Sequence, residues 1–152
     1  MMDGKTTIPE EMSPQEIKLQ TARLLLDIQA VNIRPEKPFK LTAGWASPVY
    51  VDCRKVIAFP QARQEITAMT AQLLEANGAG SFDIIAGGET AGIPYAAFLA
   101  EHLNKPMAYV RKKPKGFGRM AQIEGDLAEG QKALLVEDLA TDGGSKITFV
   151  NA

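Results

Sequence analysis

The stretch Ala133–Ser145, ALLVEDLATDGGS, restricts the folds open to this chain more than any other. Ala133–Val136 are apolar and have the length of a buried strand; two carboxylates, Glu137 and Asp138, follow at once. Leu139, Ala140, Thr141 and Asp142 then lead into Gly143-Gly144-Ser145. Paired acceptors suit a vicinal diol such as ribose O2 and O3. The hydroxyls of Thr141 and Ser145, beside glycines that let backbone N–H groups come close, suit a phosphate at a helix start. A plain strand–turn–helix junction with an Asp cap shares part of this pattern, but not acids, hydroxyls and glycines in this order. No Gly-Lys-Ser/Thr follows, so the loop is not of the Walker type, and the dinucleotide fingerprint GxGxxG is absent.

The rest of the chain supplies a setting for that loop. Ser13-Pro14-Gln15-Glu16 carries a helix start with a capping box, and Ile17, Leu24, Leu25 and Ile28 continue at helical spacing to about Ala30. Residues 31–58 read as short extended pieces and turns. Ile66, Met69 and Leu73 mark a helix from Pro60 that stops at Asn77-Gly78. FDIIA (82–86) reads as a strand, 91–103 as a helix, MAYVR (107–111) as a strand, KALLVED (132–138) as a third strand, and GGSKITFV as the start of another helix. Apolar strands alternating with helices predict an α/β domain whose parallel sheet is covered on both faces. Ligands bind such sheets at the carboxyl ends of the strands.

Two further loops fall at those ends. Ala86–Gly92, AGGETAG, offers small residues and a helix start for a second anion, although an ordinary turn would look similar. Arg111–Arg119, RKKPKGFGR, places five cations in nine residues with no acid among them. Such a run repels itself until an anion arrives, and Gly116 and Gly118 give it the freedom of an active-site lid.

The 152 residues suffice for one domain: a tail over 1–12, an N-terminal helix and hood over 13–58, and a core over 59–152. A net charge of −1 and a single aromatic in the basic run argue against nucleic acid as partner. One cysteine, Cys53, excludes an internal disulfide, and no apolar run approaches a membrane span. With a polar N-terminus unlike a secretory signal, these features lead us to expect a cytoplasmic protein.

The order FKLTAGWASPVYVD, IIAGGETAGIP, YVRKKPKGFGR, LLVEDLATDGGS resembles the orotate phosphoribosyltransferases, of the type I phosphoribosyltransferase fold, from about residue 13 onward. The resemblance implies a mostly parallel twisted sheet flanked by helices, with an N-terminal hood. It implies transfer of ribose 5-phosphate from phosphoribosyl diphosphate (PRPP) to orotate, with Mg²⁺ bound mainly through PRPP, in a homodimer that shares the lid between subunits. Glu137 and Asp138 would hold the ribose hydroxyls. Thr141, Asp142, Gly143, Gly144 and Ser145 would cradle the 5-phosphate with Leu139 and Ala140, and Thr141 would lie near orotate. Glu89, Thr90 and Ala91 would line the diphosphate. Arg111, Lys112 and Lys115 would reach that diphosphate, giving, with Asp138, the catalytic set. Val49 and Tyr50 would lie against the orotate ring. A phosphoribosyltransferase for another base, or a regulatory module that binds PRPP without turnover, would keep the same loops.

The chain departs from the family pattern in three ways. Thr42 and Phe117 stand where the family often has Lys and His. The chain also ends at Ala152, shortly after the helix that follows the phosphate loop begins, where the family continues with further strands and an Arg for the orotate carboxylate. The expectation is a shortened chain lacking late strands. His102 reads as solvent-facing, Cys53 as a packed strand residue, Met69 as core, and Trp45 as a hood residue or a cover for the base.

Overall fold

In a computed structural model the described residues are 11–41, 44–78, 81–116, 118, 121–140 and 143–152. Helix α1 (Pro14–Asp27) starts with the expected capping box: the Ser13 side chain accepts from the Glu16 N–H, and Glu16 Oε2 accepts from the Ser13 N–H at 2.8 Å. Its one fully buried residue is Ile17, so the helix is held along a narrow stripe.

The hood consists of two small antiparallel pairs. Strand β1 (Val31–Ile33) pairs with β4 (Val49–Val51), and β2 (Phe39–Lys40) pairs with β3 (Ala46–Ser47). A 3-10 turn, Cys53–Ala58, then leads into α2 (Pro60–Ala76), which ends at Asn77 as the sequence predicts.

The core sheet contains β5 (Ile84–Gly88), β6 (Met107–Val110), β7 (Ile123–Glu124) and β8 (Ala133–Val136), in the order β7-β6-β5-β8. Strands β6 and β8 run parallel to β5; β7 is antiparallel to β6. The sheet is therefore mixed, because the chain after β6 returns along it as β7. Helix α3 (Gly92–Leu103) joins β5 to β6, and α4 (Gly144–Val150) follows β8.

Alternation along the strands divides the core into two faces. Ile85, Met107, Leu134 and Val136 pack with Ala71, Phe82, Ala96 and Leu99 on the α2–α3 side. Ala86, Val110, Ile123 and Leu135 pack with Phe149 of α4 on the other. Consecutive residues turn to opposite faces, so Leu134 and Leu135 enter different clusters.

Several boundaries shift by one to three residues from the sequence reading, and the shift of β5 matters most for the site. Gly87 and Gly88, expected in a loop, are the last two residues of β5, pairing with Tyr109 and Val110 of β6. Space explains their identity: a Cβ on Gly87 would stand 2.7 Å from Ile93 Cα, and one on Gly88 would stand 2.6 Å from Phe149. The glycines extend the strand and let α3 and α4 approach it closely.

Candidate active site at the carboxyl edge of the sheet

Strand register brings the three loops together. Val110 lies beside Gly88, and Val136 beside Gly87, so the chain leaves the sheet at Glu89, Arg111 and Glu137 at nearly one height. The loops are also bonded to one another. Glu89 N–H donates to the Val110 carbonyl at 2.9 Å, and Glu89 Oε2 accepts from the Lys112 N–H at 2.8 Å. Glu137 fills the space beside both Gly88 and Gly92, touching where their Cβ atoms would stand. The Glu89–Thr90 peptide is cis.

The two carboxylates after β8 meet different surroundings. Glu137 is held by Lys146: Nζ donates to Oε2 at 3.0 Å, with the Ser145 hydroxyl 3.4 Å from the same oxygen. Lys146 also donates to the Leu139 carbonyl at 2.5 Å. Asp138 instead acts on the hood. Burial pushes the Cys53 thiol up, and Asp138 and Asp52 add to the shift. The Tyr95 phenol is likewise pushed up by burial, with Cys53, Asp138 and Asp52 reinforcing it. Tyr95 donates to the Cys53 carbonyl at 2.5 Å, tying α3 to the 3-10 turn.

Arg54 lies at this junction. Its guanidinium donates to the Tyr50 hydroxyl at 3.4 Å, and that contact, with Asp138 and Asp52, favours its charged form. The Tyr50 ring lies 5.4 Å from Phe39, whose face carries Arg34 at 4.7 Å. Tyr50 is thus half-buried in the hood, and its neighbour Val49 is exposed.

The root of the basic run is a short hairpin. Arg111 N–H donates to the Gln122 carbonyl at 2.8 Å and Lys115 N–H to the Ala121 carbonyl at 3.1 Å. The basic run has no acid of its own, but folding brings one: Lys115 pairs with Glu124 of β7. Arg111 Nε is buried and has no hydrogen-bond partner among the described residues. Lys112 is exposed. Thr90 is exposed and Ala91 half-buried, immediately before α3.

Of the other residues that the sequence singles out, Gly143 has a left-handed φ of 78°, which glycine adopts without strain, and starts α4 with Gly144 and Ser145. Leu139 and Ala140 are exposed. Thr141, Asp142, Phe117, Arg119 and Thr42 lie outside the described residues. Lys146, Glu124 and Arg54 escaped the sequence reading. Lysine directly after Gly-Gly-Ser is a visible signal for the first, and Arg54 stands four residues after its partner Tyr50, whereas Glu124 is recruited only by the fold.

Two cavities lie elsewhere. One of about 580 Å³ is bordered by Ala97, Asn104 and Met107, at the opposite edge of the sheet. Another of about 430 Å³ lies between α2 and α3, beside Arg63 and Phe98. Neither gathers the acids, cations and close glycines found at the carboxyl edge. Among the described residues no group of three or more His, Cys, Asp or Glu could hold a metal ion. No helix among them is long and apolar enough to cross a membrane.

This arrangement has counterparts in known proteins. Residues 55–151 match the phosphoribosyl transferase domain family. An orotate phosphoribosyltransferase of Cereibacter sphaeroides is 57% identical over 147 residues, covering 95% of this chain and 63% of its own length. The crystal structure of orotate phosphoribosyltransferase from Aeropyrum pernix superposes with a TM-score of 0.70 at 29% identity, over 86% of this chain and 71% of that one. Leishmania donovani UMP synthase gives a TM-score of 0.74 at 27% identity, over 88% of this chain and 28% of its own. The chain thus spans less than two thirds of the curated relative it matches.

Proposed function

This chain belongs to the phosphoribosyl transferase domain family, and from that membership we propose that it serves orotate phosphoribosyl transfer from PRPP in pyrimidine nucleotide synthesis. The observation that carries the reading is the common exit of three loops from adjacent strands, with Glu89 bonded to the root of the basic lid. It places small residues, carboxylates and cations around one edge, as a sugar bearing two separate phosphoryl groups requires. The Cereibacter sphaeroides relative is an orotate phosphoribosyltransferase, which supports orotate as the base.

In the proposed reaction the bond from the anomeric carbon to the diphosphate oxygen breaks, and a bond from that carbon to a ring nitrogen of orotate forms. Asp138, with Glu137, holds the ribose hydroxyls. Leu139–Ser145 receives the 5-phosphate, while Glu89, Thr90 and Ala91 line the diphosphate. Arg111, Lys112 and Lys115 stabilise the charge that grows on the leaving group. The buried Arg111 Nε, with no hydrogen-bond partner among the described residues, is a donor suited to that purpose. Val49 and Tyr50 border the base.

Mg²⁺ is proposed to enter on PRPP's own oxygens, since the described side chains gather no metal site, and no step is routed through it. A cytoplasmic location and a homodimer that shares the lid complete the proposal. Incubating the chain with PRPP and Mg²⁺, and separately with orotate, adenine or uracil, tests it. Orotidine 5'-monophosphate formed from orotate alone supports the reading. Nucleotide from adenine or uracil instead, or PRPP bound without turnover, overturns it.

A further inference from the structure

The phosphate loop is acidic. Its described residues between Glu137 and Ser145 include two carboxylates, Glu137 and Asp138, and no lysine or arginine. A phosphate ester entering it meets net negative charge, which oriented N–H groups must overcome unless a cation stands close by. Lys146 stands there. Its ammonium donates to Glu137 Oε2 at 3.0 Å, the Leu139 carbonyl at 2.5 Å and Ser145 Oγ at 3.2 Å. These acceptors come from both ends of the loop, so the charge is fixed across its mouth. The side chain is 26% exposed, against 15% for Glu137, and the ammonium therefore keeps a path to an arriving anion.

We propose that Lys146 determines affinity for the ester-phosphate half of the substrate. It holds Glu137 neutralised and exchanges the Ser145 hydroxyl for a phosphate oxygen when the ester binds. The geometry favours this exchange. Ser145 is itself in the cradle, so an oxygen that reaches its hydroxyl comes within reach of the ammonium bonded to it. A charge-assisted bond to phosphate then replaces a neutral one to hydroxyl, and Glu137 keeps its partner. The diphosphate end, at Glu89 and the lid, is served by other cations. Lys146 therefore discriminates between the two phosphoryl groups of the same molecule. This inference rests on the PRPP reading above.

Calorimetric titration of the wild-type chain, Lys146→Met and Lys146→Arg with PRPP, ribose 5-phosphate and inorganic diphosphate tests the proposal. In Lys146→Met, PRPP and ribose 5-phosphate should each weaken at least about tenfold, as loss of a charged hydrogen bond implies, while diphosphate stays within about twofold. Lys146→Arg should recover most of the loss. Thermal melting accompanies each titration, and Lys146→Gln, which keeps a donor, replaces the Met variant if that one is unfolded. Unchanged ribose 5-phosphate affinity overturns the proposal. So does an equal loss of diphosphate affinity, which marks general damage to the site. A wild-type chain that binds neither PRPP nor ribose 5-phosphate overturns the PRPP reading itself, and this proposal with it.

Discussion

Glu89 and Lys112 are 23 residues apart in the chain, and the carboxylate of one caps the backbone N–H of the other at 2.8 Å. The bond joins the loop after β5 to the root of the basic lid, independently of the Lys112 side chain. Glu89→Ala should therefore loosen the lid root while Lys112→Ala leaves it in place. Hydrogen exchange at the Lys112 amide would read this directly. The loss expected is about 1–2 kcal/mol, the low end for a bond to a charged group, given the exposure of the pair.

Lys115 rests on Glu124, with both side chains about a quarter exposed (29% and 23%). A partly buried, partly screened ion pair of this kind contributes about 1 kcal/mol, or roughly fivefold in an equilibrium. Glu124→Gln should release Lys115 and tighten PRPP binding by no more than about fivefold. Lys115→Ala should act on the chemistry instead, lowering kcat by about 10²–10³, as removal of one well-aimed transition-state contact does. Steady-state kinetics on the two variants separate the effects. A kcat for Lys115→Ala close to wild type would remove it from the catalytic set.

Tyr95 predicts a pH dependence. Burial holds its phenol above the ordinary value of 10.0, so the unfolded chain gives up this proton first as pH rises. The stability it contributes is fully present below that value and is lost as the solution becomes more alkaline. Tyr95→Phe should cost about 1 kcal/mol near neutral pH, through the lost bond to the Cys53 carbonyl. The variant should also show a shallower alkaline decline. Urea denaturation across an alkaline pH series measures both.

Gly88→Ala inserts a methyl group against the Glu137 carboxylate and the Phe149 ring. Strain of this kind costs about 1–3 kcal/mol. The same displacement of Glu137 should weaken PRPP binding, whereas Gly130→Ala adds a methyl group with nothing within 4 Å and should leave binding alone. Gly130 has a φ of 87°, so a modest stability loss is expected there as well. Denaturation and PRPP titration of both variants check this pair.

Periodicity and punctuation made the helices and the parallel strands legible in the sequence. Ser13-Pro14 and Asn77-Gly78 bound α1 and α2 at the expected places, because caps act locally. Gly87-Gly88 reads as loop because glycine ordinarily weakens strands; here the helices on both sides require it. Strand β7 has two residues, too few to show a period. The three loops were visible as compositions, but their mutual pairing was not. Glu124 lies outside the basic run it neutralises, and the field of Asp138 reaches Arg54 only in the folded chain.

The register of β5 also constrains insertions and deletions. Gly88 faces Val110 on one side, and Gly87 faces Val136 on the other. One residue added within β5 would shift Glu89 by about 3.3 Å and turn every later side chain of the strand to the opposite face. The glycines would then meet the wrong helices, and the loops would leave the sheet out of step. At the root of the basic run the Arg111 N–H donates to the Gln122 carbonyl and the Lys112 N–H to Glu89, so a slip in β5 would pull on that run as well. The length of β5 is therefore fixed by two neighbouring strands at once.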